Sequence, residues 1–512
     1  MPLLRSMWIG APLALVASVY LLTMAPGAYS LDSAELATGA YTLGIVHPTG
    51  YPLYMLIAKG FTLLPWGSVA WRVNLLSVVC GLLAVASVWR LGFLRSRQVW
   101  VALAGAMGLA FSIGYWRMST VAEVYTLHIV ILTGLLLLCN RWLATGRETY
   151  VIGMGLLFGL GLANHVSSLS YAPILVVAIT GRRGSGRTLW FLPLSVAVGL
   201  ATYLYLPARA SANPALDYVR QYYAVDLTTI EGVWWMASGA AYRFFAFGYD
   251  APGYLQELVR FCGSLLRNMT ALGFVLGMLG IWQTLRRIDR LGIGMGVVFL
   301  LNVGFFSGYA VGDKETMFLP AYTIWALWMI DGAAWALRSA RRFAFREGLS
   351  PAVAGAGLGI LMASMVGMLL VMNWRWADLS KADMPERSAR LILRSLPADA
   401  FIAGPWSETV VLEYVQLVEG VRPDVEIFNR SRYEVAQYYS FWAQGMHADD
   451  ILRNVHARER ELIRSAAAAR PVFDLQYVPS LARTLEYRPV GPMFQVEPYK
   501  GSETPILSTG PS

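Results

Sequence analysis

The 512-residue sequence is poor in charge: Asp, Glu, Lys and Arg make up 14 % of it, against 56 % hydrophobic residues. Soluble globular chains carry nearer a quarter charged residues. The mean hydropathy is +0.49, and the apolar residues fall in long blocks. That excludes a soluble enzyme and a disordered chain. Cysteine is scarce. The three present are Cys80, Cys139 and Cys262; the first two lie inside apolar blocks, so no disulfide scaffold can be read. Lysine is almost missing: of 41 basic residues only Lys59, Lys314, Lys381 and Lys500 are lysines. That arginine bias, with abundant alanine, suggests a GC-rich bacterial genome. There is no internal repeat and no low-complexity tract. A net charge of +9 would suggest nucleic-acid binding in a soluble chain. Here it traces to arginines between apolar blocks, and no nucleic-acid partner is implied.

The chain reads as a polytopic α-helical membrane protein with about eleven transmembrane helices. They fall near 7–25, 70–90, 99–115, 124–142, 150–164, 166–180, 188–206, 267–285, 291–310, 318–337 and 352–373. Arg5 ahead of an apolar run, with Ala25-Pro-Gly-Ala28 behind it, resembles a signal peptide. The length of the run and the charged segment after it favour an uncleaved first helix. With the N-terminus in the cytoplasm, the inner loops hold Arg5, Arg90, Arg95, Arg97, Arg141, Arg147, Arg182, Arg183, Arg187, Arg286, Arg287, Arg290, Arg338, Arg341, Arg342 and Arg346. Opposing them are Glu148, Asp289 and Glu347. This asymmetry fixes the orientation by the positive-inside rule. An odd number of spans puts the C-terminus outside, and the membrane is expected to be a bacterial inner membrane.

Residues 1–373 therefore read as a membrane domain. It includes a first outer loop at 31–69 and an amphipathic outer segment at 207–266. Residues 374–512 have soluble composition and read as a small extracytoplasmic α/β domain. Phe401-Ile-Ala-Gly404 reads as a strand and Glu408 to Glu419 as a helix stopped by Gly420. A strand at Val425–Phe428, a helix near 447–467 and a strand from Val472 follow, and 501–512 reads as a frayed end.

Ionisable groups gather on one face instead of running through the membrane as a transport path would need. Asp32, Glu35 and His47 follow the first span; Arg117 and Glu123, Asn164 and His165, Arg209, and Asp313-Lys-Glu315 occupy later outer turns. Asp32 and Glu35 are three apart and share a helix face, although the same pair could be a capping box. His47-Pro-Thr-Gly-Tyr-Pro52 is a rigid turn that carries His47 and Tyr51 towards the two carboxylates. Asp32, Glu35 and His47 are chemically suited to a divalent metal, but the spacing claims none. Arg117 is expected to pair with Glu123, and Lys314 either binds a ligand or pairs locally with Asp313 or Glu315. Ten aromatic residues between Tyr218 and Tyr249 suit an interfacial belt or a roof over the site.

These residues carry a resemblance. The Asp32-x-x-Glu35 segment with His47-Pro-x-Gly-Tyr-Pro-Leu-Tyr54 resembles the membrane family catalogued as domain-of-unknown-function 2723. That family is assigned to glycosyltransferase family 117, with protein O-mannosyltransferase-like members, within the GT-C superfamily. Ala122-Glu-Val-Tyr125, Gly161-Leu-Ala-Asn-His165, Tyr205-Leu-Pro-Ala-Arg209, Asp313-Lys-Glu and Gly420-Val-Arg-Pro-Asp-Val425 match in order. The usual His-Pro-Pro-Gly is His-Pro-Thr-Gly here.

The resemblance implies a GT-C glycosyltransferase that moves a mannose-like hexose from a polyprenyl-phosphate donor to an extracytoplasmic hydroxyl of protein, lipid or glycan. Such a reaction needs a carboxylate base and positive charge for the leaving phosphate. The implied base is Asp32, with Glu35 as partner or substitute. Arg209 and then Lys314 are the expected phosphate ligands, with His47, Tyr51, Asn164, His165, Glu123 and Arg117 around donor phosphate or sugar. No cofactor is certain. The alternatives are a lipid-linked sugar flippase or transporter, and a non-catalytic membrane scaffold.

Overall fold

A computed structural model describes residues 2–182 and 188–499. Arg183, Arg187 and the stretch 500–512 lie outside the described residues. Each of the eleven apolar segments lies in helical structure. Among the described residues, six helices are long and apolar enough to cross a membrane: Val69–Ser96, Val124–Thr145, Trp190–Ser211, Ala251–Arg287, Arg290–Gly308 and Pro351–Ala377. Gly10–Thr23, Val99–Ala110, Thr149–Asn164 and Val166–Gly181 are shorter apolar helices. The chain is an integral membrane protein.

Helix Leu319–Arg346 falls outside both groups because it is the centre of the bundle. Protein, not lipid, surrounds it: Tyr322, Trp325, Trp328 and Met329 are buried among neighbouring helices. Such a helix tolerates Asp331 and several tryptophans. It meets Ala251–Arg287 backbone to backbone, and a Cβ added at Gly332 would lie 1.9 Å from the Leu276 carbonyl oxygen. Only a residue without a side chain permits that approach. Helix Ala251–Arg287 has 37 residues and is broken by a kink at Thr270, where φ is 63° and ψ 168°.

The tail folds as a five-stranded sheet in the order β2-β1-β3-β5-β4. The strands are β1 (Phe401–Gly404), β2 (Glu426–Asn429), β3 (Val472–Asp474), β4 (Leu485–Val490) and β5 (Met493–Pro498). β1 runs parallel to β2 and β3, with Phe401 opposite Glu426 and Val472. β5 is antiparallel to β3 and β4. Helix Trp406–Glu419 follows β1, and helix Arg430–Ala443 follows β2.

The tail is not a detached module. Val410, Val411, Tyr414 and Val415 belong to the same apolar core as Leu36, Ala37 and Ala40 of the first outer helix. The Tyr414 hydroxyl accepts from the Ala70 amide at 3.1 Å. Tyr218 donates to Glu413, and the Asn429 amide donates to the Tyr222 hydroxyl at 3.0 Å. The 207–266 segment is thus clamped between membrane helices and tail. Its aromatic residues divide accordingly: Tyr218 and Tyr223 are buried, whereas Trp234 and Phe247 are 68 % and 65 % exposed, as an interfacial belt requires.

Candidate active site

Helix Asp32–Thr42 opens at Leu31, whose φ of 63° and ψ of −143° lie in a region other residues leave to glycine. That strained joint fixes where Asp32 emerges. No side chain caps the helix, so the capping-box alternative does not apply: Glu35 reaches elsewhere. The following turn is pinned by the Gly50 amide donating to the His47 carbonyl at 2.8 Å. Gly50 has φ +78°, and a Cβ there would stand 2.9 Å from Met236. Tyr51 caps helix Pro52–Thr62, with Pro52 at its first position. The turn thereby holds His47 over the first helix.

Glu35 is fully engaged. Its Oε1 accepts from the His47 amide at 2.8 Å and lies 2.6 Å from His47 Nδ1. Its Oε2 accepts from Arg432 at 2.6 Å and from the Trp406 indole at 3.2 Å. His47 Nε2 meets the Tyr51 hydroxyl at 2.8 Å. Burial alone would raise the Glu35 carboxyl, but Arg432 and His47 outweigh it and hold it at about 2. Asp32 is different. One of its oxygens is buried without a hydrogen-bond partner, and its side chain is 20 % exposed. Burial, opposed by His47 and reinforced by Glu35, pushes its carboxyl up to about 6. Two carboxylates on one helix are thus given different proton affinities, with Asp32 the readier proton acceptor.

Asp32 opens on a cavity of about 660 Å³. His47, Tyr51, Tyr125, His165, Trp406 and Arg432 form its polar wall; Phe245, Leu301, Phe305, Phe306 and Tyr309 form an apolar one. Leu301 and Phe305 belong to the apolar helix Arg290–Gly308 and are 47 % and 42 % exposed. One end of the cavity is therefore suited to charge and the other to hydrocarbon. Arg432 stacks on Trp406 at 4.5 Å, donates to Tyr242 at 2.8 Å, and keeps its buried Nε without a partner. That leaves one donor for a ligand.

The structure gathers Asp32, Glu35, His47, Tyr51 and His165. His165 stacks on Tyr51 at 5.8 Å, and burial, then His47, lowers its ring to about 4. Glu123 is buried, and burial with the Asp32 charge raises its carboxyl well above the usual range. Asn164 lies deeper and donates to the Val124 carbonyl at 3.3 Å. Three expected ligands lie elsewhere. Arg209 donates to the Leu43 carbonyl at 2.7 Å and to Thr42 at 3.4 Å, so it caps the first outer helix. Lys314 pairs with neither sequence neighbour; its ammonium lies 2.7 Å from Glu257 and is buried. Arg117 is exposed and forms no ion pair with Glu123 among the described residues.

Arg432 and Trp406 were not readable as site residues. Arg432 is 397 residues from its partner Glu35, and Trp406 is 371. A signal existed: each follows the carboxyl end of one of two adjacent parallel strands, where α/β sheets place ligands. Arg430, two residues before Arg432, is turned about 200° away on the helix and pairs with Glu459 and Asp474 inside the tail.

Ligand atoms of Asp32, Glu35 and His47 lie within 4.8 Å of one another. The arrangement nevertheless does not fit a divalent ion. Arg432 stands among the three, 3.1 Å from His47 Nδ1, and Glu35 already engages that nitrogen. A dication would have to displace the guanidinium.

The family described as Protein O-mannosyl-transferase TMEM260 N-terminal domain matches residues 32–187. The mouse Protein O-mannosyl-transferase TMEM260 is 28 % identical over 448 residues, 82 % of this chain and 62 % of that protein. This chain thus spans about three fifths of the mouse relative's length. A Dictyostelium discoideum protein O-mannosyl-transferase tmem260 is 28 % identical over 113 residues, 22 % of this chain and 14 % of its own. Crystal structures of ArnT from Cupriavidus metallidurans, apo and bound to undecaprenyl phosphate, superpose with a TM-score of 0.56 at 12 % identity, covering 96 % of this chain and 98 % of that one. The Archaeoglobus fulgidus oligosaccharyltransferase, in complex with Zn and sulfate, gives 0.50 at 11 % identity over 82 % and 62 %. The fold is GT-C-like. The family match begins at Asp32 itself.

Proposed function

We propose that this protein is a membrane glycosyltransferase that moves a mannose-like sugar from a polyprenyl-phosphate donor to an acceptor hydroxyl. The observation that carries this reading is the contrast between Glu35, held by Arg432 and His47, and Asp32, with an oxygen that accepts no hydrogen bond, at the wall of a half-apolar cavity. Similarity to protein O-mannosyl-transferases supports the sugar transfer. The undecaprenyl phosphate bound to the fold relative ArnT supports the donor class.

In this reading the polyprenyl chain lies along Leu301, Phe305 and Phe306, and the phosphate meets Arg432. Asp32 accepts the proton of the acceptor hydroxyl. The acceptor oxygen bonds to the anomeric carbon as the bond from that carbon to the phosphate oxygen breaks. The electron pair leaves with the phosphate, and displacement from the opposite face inverts the anomeric centre. Arg432 stabilises the departing charge by a charge-assisted hydrogen bond. Glu35 fixes Arg432 and His47 and takes no proton. The site faces the outside of a bacterial inner membrane, with eleven spans and a cytoplasmic N-terminus.

The test is transfer from synthetic polyprenyl-phosphate mannose to a hydroxyl-bearing peptide or glycan by the purified protein. Donor binding without turnover, accompanied by movement of intact donor across vesicles, would favour a flippase.

A further inference from the structure

A second polar cluster lies at the opposite end of the bundle. Arg95 stands 25 residues along its helix from the Ala70 contact with the tail, about 38 Å at 1.5 Å per residue. Three helices converge here: Val69–Ser96, Ala251–Arg287 and Leu319–Arg346. Arg95 consumes the nearby negative charge. Its Nε and terminal nitrogen lie 3.0 and 2.6 Å from Asp331 Oδ2, and the same terminal nitrogen lies 2.6 Å from Asp289.

What remains around the adjoining cavity of about 170 Å³ is donor-rich. Arg287 and Arg338 line it, and no ion pair joins either to a carboxylate among the described residues. Gln283 and Thr284 also line it. Both residues are 5 % exposed, and neither the Gln283 amide nitrogen nor the Thr284 hydroxyl has a hydrogen-bond partner. Buried donors left unmade are costly. Three arginines against two aspartates leave a net positive charge. Orphan donors, surplus guanidinium groups and a small cavity call for one compact, acceptor-rich anion.

We propose that this cavity binds a phosphate-class oxyanion, bridging the three helices. The group is either inorganic phosphate or the phosphodiester of an anionic lipid from the adjacent leaflet; basic pockets between membrane helices recognise such headgroups. The proposal does not depend on the transferase reading.

The experiment uses the purified full chain in two arms. In lipid-stripped detergent, inorganic phosphate is titrated at constant ionic strength while thermal unfolding is followed. In nanodiscs of phosphatidylglycerol or phosphatidylcholine, native mass spectrometry counts the lipid retained on release. The expected result is saturable stabilisation by phosphate, or selective retention of phosphatidylglycerol. Phosphate alone acting assigns a free anion, and phosphatidylglycerol alone retained assigns a headgroup. Arg287→Ala with Arg338→Ala should weaken the response roughly ten- to hundredfold. Arg286→Ala removes a guanidinium that lies 5.3 Å from the Trp282 ring, outside the cavity lining, and should respond as wild type. If the double variant misfolds, Gln283→Leu deletes an orphan donor at unchanged charge and carries the same test. An absent saturable response to both probes, or equal weakening by Arg286→Ala, overturns the proposal.

Discussion

Asp32 and Glu35 stand one helical turn apart, yet Arg432, His47 and Trp406 all hydrogen-bond Glu35, whereas the Asp32 oxygen nearest them accepts no hydrogen bond and lies 3.6 Å from His47 and 3.9 Å from Arg432. A base needs an oxygen open to a proton, and of this pair only Asp32 has one that accepts no hydrogen bond. Asp32→Asn, which keeps shape, should lower sugar transfer by about 10²–10⁴-fold with donor binding intact. Glu35→Gln should instead disturb folding, because it removes the partner of a buried guanidinium. Transfer at wild-type rate by Asp32→Asn would remove it as base.

The pH profile follows from the same environment. Asp32 works as a base only when deprotonated, and its carboxyl is raised to about 6. Transfer per enzyme at low substrate should therefore fall as pH drops through about 6, with the rate proportional to the deprotonated fraction. An Asp at its usual value of 3.8 would hold activity down to pH 4. A limb near 4 would mean that Asp32 is neither buried nor influenced by Glu35 during turnover.

Much of this site was legible in the sequence because it is local. Asp32, Glu35, His47 and Tyr51 fall within one short segment, and turn chemistry alone brings them together. The apolar runs gave helices because period and composition act locally too. What could not be read is non-local. Lys314 offered two acidic neighbours and took Glu257, 57 residues earlier, because packing of helix Ala251–Arg287 decided the pair. Arg209 followed an apolar run at the depth expected of a phosphate ligand, but that position is also where the carbonyls of Thr42 and Leu43 need donors. The tail strands at Phe401–Gly404 and Val425–Phe428 were readable; that residues just beyond their carboxyl ends would meet Glu35 in the membrane domain was not.

Arg209 therefore has a different expected phenotype from a phosphate ligand. Arg209→Gln should leave donor affinity unchanged and lower stability by about 1–3 kcal/mol, the cost of orphaning acceptors at a helix end. Lipid-phosphate binding and thermal unfolding of the same sample separate the two roles. A tenfold loss of donor affinity at unchanged stability would return Arg209 to the site.

Sidedness can be tested with single cysteines in a variant lacking Cys80, Cys139 and Cys262. The loops assigned to the cytoplasm by charge carry sixteen basic residues against Glu148, Asp289 and Glu347, so under that orientation cysteines replacing Thr145 or Glu347 should react with an impermeant maleimide only after permeabilisation. Cysteines replacing Thr228 or Gln444, both exposed, should react in intact cells. Labelling at Gln444 only after permeabilisation would place the tail inside and break the outward-facing site.

The link between tail and membrane site rests on Arg432 and Glu35, 2.6 Å apart and both buried. Removing one member of a buried pair strands the other charge, at a cost of about 3–5 kcal/mol. Arg432→Ala and Glu35→Gln should each be destabilised by this order. The double variant should recover part of the loss, giving a coupling of about 1–3 kcal/mol in a double-mutant cycle of thermal or denaturant unfolding. Catalysis should not recover with stability. The double variant restores neutrality but supplies no guanidinium for the leaving phosphate, so transfer should stay roughly ten- to hundredfold down. Recovery of both together would make Arg432 only a counter-ion for Glu35. Additive losses in stability would mean that the two charges do not form a pair in the membrane-embedded protein.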